Sequence, residues 1–209
     1  MSPDRLLRAY RLGIFPWFSR GQPILWWSPD PRMVLDPAEL RISRSLGKTL
    51  RKADFEVRSD TAFDDVIEAC SAPRPGQRGT WITSEMKAAY RRLHRLGVAH
   101  CVETWRDQQL IGGLYGVAIG RMFYGESMFS RADDASKIAL VHLAWQLREW
   151  QFGLIDCQMN TPLLASFGAR EMPRAEFARR VSELVNYAAV RSPWRFAVKT
   201  EQAHKAKPA

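Results

Sequence analysis

Residues 98–126, VAHCVETWRDQQLIGGLYGVAIGRMFYGE, decide the fold. Within them 98–105, 110–117 and 121–126 are rich in β-branched and aromatic residues, and only Arg106-Asp107-Gln108 and Ala118-Ile119-Gly120 separate them. Connections that short join neighbouring strands in opposite directions, so the stretch predicts an antiparallel meander. Upstream, 55–58 reads as a further strand and Asp60 as the cap of a helix running through Ala69. Downstream, Asp133 or Asp134 starts a long helix with Ile138, Val141, Ala144, Trp145 and Leu147 on its apolar side, stopped by Gly153. Residues 154–158 add one more strand. A helix around 163–167 follows, and then one entered through Pro173 with Phe177, Val181 and Val185 inward. A meander, a crossing helix with a further strand, and a closing helix make an α+β layer architecture.

The amino-terminal part differs. Ser2-Pro3-Asp4 gives a cap, a first-turn proline and an acid ahead of Leu6, Leu7 and Tyr10, and Gly13 closes that helix. Residues 13–31, GIFPWFSRGQPILWWSPDP, hold four prolines, two glycines and three tryptophans, which exclude a long regular element. They read as a rigid aromatic loop around a short strand at 24–27. The Pro-rich region at Asp36-Pro37 is the expected boundary, giving a small lobe over 1–36, a main domain over 37–198 and a polar, frayed tail over 199–209.

Composition narrows the class. The 209 residues are 46% hydrophobic and 25% charged, and no apolar run approaches the ~18 residues of a membrane span. The first residues lack a basic segment followed by an apolar stretch, so no export is expected. Cys70, Cys101 and Cys157 are odd in number and far apart, which offers neither a disulfide framework nor a metal pair and fits a reducing cytoplasm. A net charge of +9 favours a polyanionic partner, nucleic acid or an anionic membrane surface. Eight tryptophans fit stacking platforms for bases as well as ordinary core and rim positions.

Two basic rows stand out. Arg41, Arg44, Lys48 and Arg51 share one face of any helix formed there, and Lys87, Arg91 and Arg95 do the same on the helix begun at Thr83-Ser84 and ended by Gly97. Each suits a solvated face or phosphate contact.

Two places carry chemistry. Glu126, Ser127, Ser130 and Arg131 crowd one connection between a strand and a helix. In Ile155-Asp156-Cys157-Gln158, alternation along a strand sends a carboxylate and an amide to the same face, where burial demands partners for both. Asp156 there is either a structural anchor or part of a site. The histidines have no spacing suggesting zinc or a triad.

The blocks GIFPWF (13–18), ILWWSPDPR (24–32), ISRSL (42–46), GTWIT (79–83), AYRRLHRLGVAHCVETW (89–105), GGLYGVAIG (112–120), GESMFSRADDASK (125–137) and IDCQ (155–158) together resemble the leucyl/phenylalanyl-tRNA–protein transferases, over residues 6–185. The resemblance implies a GNAT-like domain behind a small, reduced amino-terminal lobe. It implies transfer of Leu, Phe or Met from aminoacyl-tRNA to proteins with amino-terminal Lys or Arg, feeding protein degradation, by a monomer that uses no cofactor or metal. It assigns catalysis to Asp156, Gln158 and Glu126, the terminal adenosine to Trp17 and Trp81, and the donor side chain to Leu114, Phe123, Leu140, Leu143 and Ile155, with Ser127 beside them. The basic rows would hold tRNA. The turn SRADDASK offers no Gly-rich pyrophosphate cradle, which disfavours coenzyme A. Within that family the run after IDCQ usually carries His where this chain has Leu163.

An aminoacyl ester is already activated, so attack by an amine requires orientation and charge stabilisation without a Ser or Cys nucleophile. On this reading Asp156 orients Gln158, whose carbonyl oxygen accepts a hydrogen from the amine, while Glu126 or Asp156 attracts the cationic acceptor residue. A GNAT-like acyltransferase with another donor, and an RNA-binding module without catalysis, are the competing readings.

Overall fold

The computed structural model of the protein describes residues 1–19, 21–73 and 80–196. The tail expected over 199–209 lies outside the described residues. At the centre is the meander: β5 (Ala99–Arg106), β6 (Gln109–Ile119) and β7 (Met122–Ser130), antiparallel throughout. Asp107 and Gln108 turn the first hairpin with φ of 49° and 61°, the paired left-handed conformation that matches the twist of the flanking strands.

Chain order places β4 (Glu56–Ser59) beside β5, and β8 (Leu154–Gln158) parallel to β7 after the helix α5 (Ala135–Glu149) crosses over. Two short strands absent from the sequence reading complete the seven-stranded sheet, β3 (Arg32–Leu35) and β9 (Arg170–Met172), in the order β4-β5-β6-β7-β8-β3-β9. Residues 32–35, expected in the small lobe, thus sit inside the main sheet. Of the aromatic loop only β1 (Phe15–Pro16) and β2 (Trp26–Trp27) pair, as a separate ribbon.

Helices cover both faces. One carries α1 (Pro3–Arg11), α3 (Phe63–Ser71), α4 (Ser84–Arg95) and α7 (Arg174–Leu184), packed through Tyr10, Val66, Tyr90 and Phe177 onto Tyr115 and Tyr124. The other carries α2 (Arg44–Lys52) and α5, with Leu46, Leu50, Leu140 and Leu143 against Phe123 and Ile155. The short α6 (Pro162–Ser166) follows β8.

Three local expectations change. Asp60 does not cap α3; its carboxylate accepts from the backbone N–H of Cys101 (3.0 Å) and Trp194 (2.7 Å) and meets His100 Nδ1 at 2.8 Å. The buried Glu103 of β5 instead accepts from Thr61 N and Ala62 N at 2.8 and 3.0 Å, satisfying donors at that helix entrance from a neighbouring strand. Residues 125–130 are not a connection either, because β6 still pairs with them: Gly112 faces Ser130 and Gly113 faces Phe129. Finally, Arg41 lies ahead of α2 and outside its helical face.

The β6–β7 ladder contains one irregularity that positions the site. Tyr115 faces Ser127 while Gly116 faces Gly125, so Glu126 is an extra, unmatched residue on β7. A Cβ at Gly116 would lie 2.3 Å from the backbone oxygen of Tyr124 and 2.5 Å from the Phe123 ring, so only glycine fits. Gly116→Ala is expected to destabilise by about 2 kcal/mol or more, lowering the thermal midpoint by roughly 4–8 °C. Near-ultraviolet circular dichroism melts check this, and an unchanged midpoint would mean that the bulge absorbs the methyl group.

Candidate active site

The parallel ladder between β7 and β8 runs from Met122–Leu154 through Phe123–Ile155 to Tyr124–Asp156. On the far side of β8, Met33 faces Gln158 and Val34 faces Asp156, so Cys157 is likewise an extra residue. Each strand therefore carries a one-residue bulge just beyond the last parallel pair. Between them opens a cavity of about 370 Å³, within the usual range for a small-molecule pocket. The five apolar positions expected to hold a donor side chain, Leu114, Phe123, Leu140, Leu143 and Ile155, all line it. Glu126, Ser127, Asp156 and Gln158 supply polar lining, and Leu163 contributes an apolar side chain.

A second cavity of about 150 Å³ shares Trp81, Glu126, Cys157 and Gln158 with the first and adds Phe15 and Trp17. The two form an apolar pocket and an aromatic one meeting at a carboxyl and an amide. Trp17 is 40% exposed and Trp27 44%, with Trp27 Nε1 donating to the backbone oxygen of Trp17 at 2.7 Å. An exposed aromatic lip held in place this way suits stacking by a flat ring.

Glu126 is buried among hydroxyl groups. Its Oε1 accepts from Tyr10 at 2.6 Å and from Gln158 Nε2 at 3.3 Å, and Oε2 accepts from Tyr90 at 2.8 Å. The two tyrosine hydroxyls also meet at 2.6 Å. The two hydroxyl–carboxyl contacts and the one hydroxyl–hydroxyl contact that close this ring need three protons, and the tyrosines supply two. Burial raises the Glu126 pKa to about 7, against the lowering effect of the tyrosine hydrogen bonds, and so supplies the third over part of the neutral range. Burial and the nearby Glu126 push both tyrosines well above their ordinary value, which keeps their protons in place.

Asp156 has no exposed surface, and its partner is one that sequence reasoning missed. Arg32 Nε and Nη2 donate to its two oxygens at 2.7 and 2.6 Å, and the backbone N–H of Gln158 donates to Oδ1 at 2.9 Å. Asp156 therefore holds the Gln158 backbone, while the Gln158 amide turns to Glu126. The expected side-by-side pairing of carboxylate and amide changes because the Cys157 bulge and a Gln158 φ of 63° break the alternation. Tyr10 and Tyr90 were also missed as site residues. Their spacing marks them as core positions, and the only signal is that a buried tyrosine hydroxyl needs a partner.

The basic rows separate. Arg44, Lys48 and Arg51 are exposed and make no ion pair among the described residues. Lys87 and Arg91 are instead tied to Glu68 and Asp64 of α3 at 2.6–2.7 Å, leaving Arg95 exposed at the end of α4. Among the described residues no group of three or more His, Cys, Asp or Glu side chains could hold a metal ion, and no helix is long and apolar enough to cross a membrane.

Comparison with known proteins shows the family. A family model described as leucyl/phenylalanyl-tRNA protein transferase matches residues 34–182, and one for that family's N-terminal domain matches residues 1–30. The chain is 65% identical over 196 residues to a leucyl/phenylalanyl-tRNA–protein transferase of Thiobacillus denitrificans, covering 94% of this chain and 86% of the relative. A protein of the same name from Nitrosomonas europaea is 63% identical over 196 residues, covering 94% and 83%. Among solved structures, FemX superimposes with a TM-score of 0.54 at 12% identity, covering 81% of this chain and 66% of that one, a likeness of fold alone. The chain belongs to the leucyl/phenylalanyl-tRNA protein transferase family, a family of aminoacyltransferases.

The raised pKa of Glu126 has a thermodynamic signature. The folded protein keeps a proton that the unfolded chain releases near pH 4.5, so this group's contribution to stability falls as pH rises from about 4.5 to about 7 and is constant above. Glu126→Gln removes that dependence. Wild-type unfolding free energy is expected to drop relative to the variant across this window in denaturant titrations; parallel pH profiles would show that Glu126 titrates normally.

Proposed function

We propose that this family member transfers a leucyl, phenylalanyl or methionyl group from aminoacyl-tRNA to the α-amino group of a protein beginning with Lys or Arg, marking that protein for degradation. The observation that carries the reading is the junction of the two cavities. An apolar pocket with room for a hydrophobic side chain meets an aromatic pocket at Gln158 and Glu126, as a 3′-aminoacyl-adenosine requires. The donor side chain enters between Leu114, Phe123, Leu140, Leu143 and Ile155, with Ser127 and Leu163 at its wall. The adenine lies against Trp17 and Trp81.

The ester carbonyl then sits at the junction. The acceptor amine, with a reference pKa of about 7.7–8.0, is partly neutral near pH 7 and attacks without a covalent enzyme intermediate. Glu126 holds Gln158 Nε2, and that orientation leaves Gln158 Oε1 to accept a hydrogen from the amine as positive charge develops on nitrogen. The amine nitrogen bonds to the carbonyl carbon, the ester C–O bond breaks, and the proton lost by the amine goes to the departing ribose oxygen. Arg32 balances the charge of Asp156, so attraction of the acceptor's cationic side chain falls to Glu126 in its ionised form.

The tRNA body follows the exposed row of α2, Arg44, Lys48 and Arg51, with Arg41 and Arg95 as further contacts. Lys87 and Arg91 contribute through the field of α4 more than through free heads, given their ties to α3. The single parallel pair in the sheet supports a GNAT-like architecture for the transferase domain. A monomer working in the reducing cytoplasm without a cofactor completes the reading.

Incubation with radiolabelled Leu-tRNA and a protein bearing amino-terminal Arg tests it. The wild type is expected to label the protein, and Gln158→Ala to slow labelling about 100-fold at saturating tRNA. Replacing Arg44, Lys48 and Arg51 by Ala is expected to weaken tRNA binding and to flatten its log–log salt dependence by about 2–3. Binding without transfer by the wild type would leave an RNA-binding module.

A further inference from the structure

We propose that Arg32 is a positioning residue of the transfer reaction, acting through Asp156 on the backbone of Gln158. The inference rests on the transfer reading above and adds a residue to it. Arg32 is fully buried, and its guanidinium lies between the rings of Phe15 and Phe177, 4.6 Å from each centroid. Two aromatic faces hold the plane of the cation, and that plane fixes the fork it presents. The fork engages both Asp156 oxygens, while Nη1 has no partner among the described residues. Both charged side chains are fully buried.

The consequence reaches Gln158. Its φ of 63° is a conformation glutamine rarely adopts, and its backbone N–H donates to Asp156 Oδ1, the same oxygen that Arg32 Nε holds. A bulge at Cys157 makes the left-handed turn sterically available. The turn in turn directs the side-chain amide to Glu126, 3.3 Å away, at the junction of the cavities. Without the fork, Asp156 is a carboxylate free to rotate, and Gln158 has no reason to keep its strained backbone over the extended one of a continuing strand. Asp156 then acts as an anchor, and the two-ring clamp on Arg32 sets where the amide stands. Phe15 also lines the aromatic cavity, so one side of the clamp comes from the strand that leads into Trp17.

Lysine keeps the charge but cannot fork or present a plane. Arg32→Lys and Phe177→Leu, assayed in the full chain with Leu-tRNA and the amino-terminal Arg acceptor, are expected to lower kcat about 10- to 100-fold and about 3- to 10-fold. KM for both substrates should stay within twofold, because neither Arg32 nor Phe177 itself lines the donor pocket. Arg32→Met should fall further, with Arg32→Lys recovering part of the loss. Hydrogen exchange at the Gln158 amide, read by nuclear magnetic resonance, is expected to accelerate in the same order. If Arg32→Met does not fold, Arg32→Lys and Phe177→Leu decide. Full kcat in Arg32→Lys, or an equally protected Gln158 amide in the variants, would overturn the proposal. If the wild type transfers nothing, the transfer reading fails, while the exchange measurement still reports whether Arg32 holds Gln158.

Discussion

Two neighbouring strands run in the same direction, pair for three residues and then part, and the functional geometry depends on where they part. Parallel pairing of β7 with β8 ends at Tyr124 and Asp156, and each strand inserts one extra residue there, Glu126 on one side and Cys157 on the other. A bulge bends its strand and re-aims a side chain, and two facing bulges open a gap in an otherwise continuous sheet. The gap is lined on one side by the α5 core, which makes it apolar, and at its mouth by the polar residues the bulges expose. Gly116 permits the first bulge, since any side chain there would strike the backbone of Tyr124.

Opening a sheet leaves polar groups buried, and the fold answers with two hydrogen-bond networks joined at Gln158. Asp156 is matched by Arg32 and a backbone N–H; Glu126 is matched by Tyr10, Tyr90 and Gln158. Removing one member of either network would leave an uncompensated buried group, which costs more than the pairing itself contributes. The networks also join the parts of the chain: Tyr10 comes from α1, Tyr90 from α4, Arg32 from β3, and all converge on two adjacent strands. The amino-terminal segment is therefore part of the site and not an appendage to it.

Much of this was legible in the sequence. The meander, the crossing helix α5 and β8 follow from apolar runs bounded by tight turns, and the five pocket positions came from the family resemblance. What escaped has a common cause. Arg32 finds Asp156 across 124 positions, and in sequence it is one basic residue after a proline. The Cys157 bulge arises from the register between β8 and β3, which lie far apart in sequence, so strict alternation wrongly set Asp156 beside the Gln158 amide. β3 and β9 are four and three residues long, too short for a periodic signal, and a proline abuts each, Pro31 before β3 and Pro173 after β9. The basic row on α4 reads as well as that on α2, yet only the tertiary pairing with Asp64 and Glu68 shows that two of its cations are occupied.

The most direct measurement is a crystal structure with a non-hydrolysable amide analogue of 3′-leucyl-adenosine. The leucyl side chain should lie between Phe123, Leu140 and Ile155, the adenine against Trp17 and Trp81, and the carbonyl carbon at the junction beside Gln158. An analogue bound elsewhere, or with its adenine in the apolar cavity and the leucyl group in solvent, would contradict the assignment of the two cavities and with it the role of the parted strands.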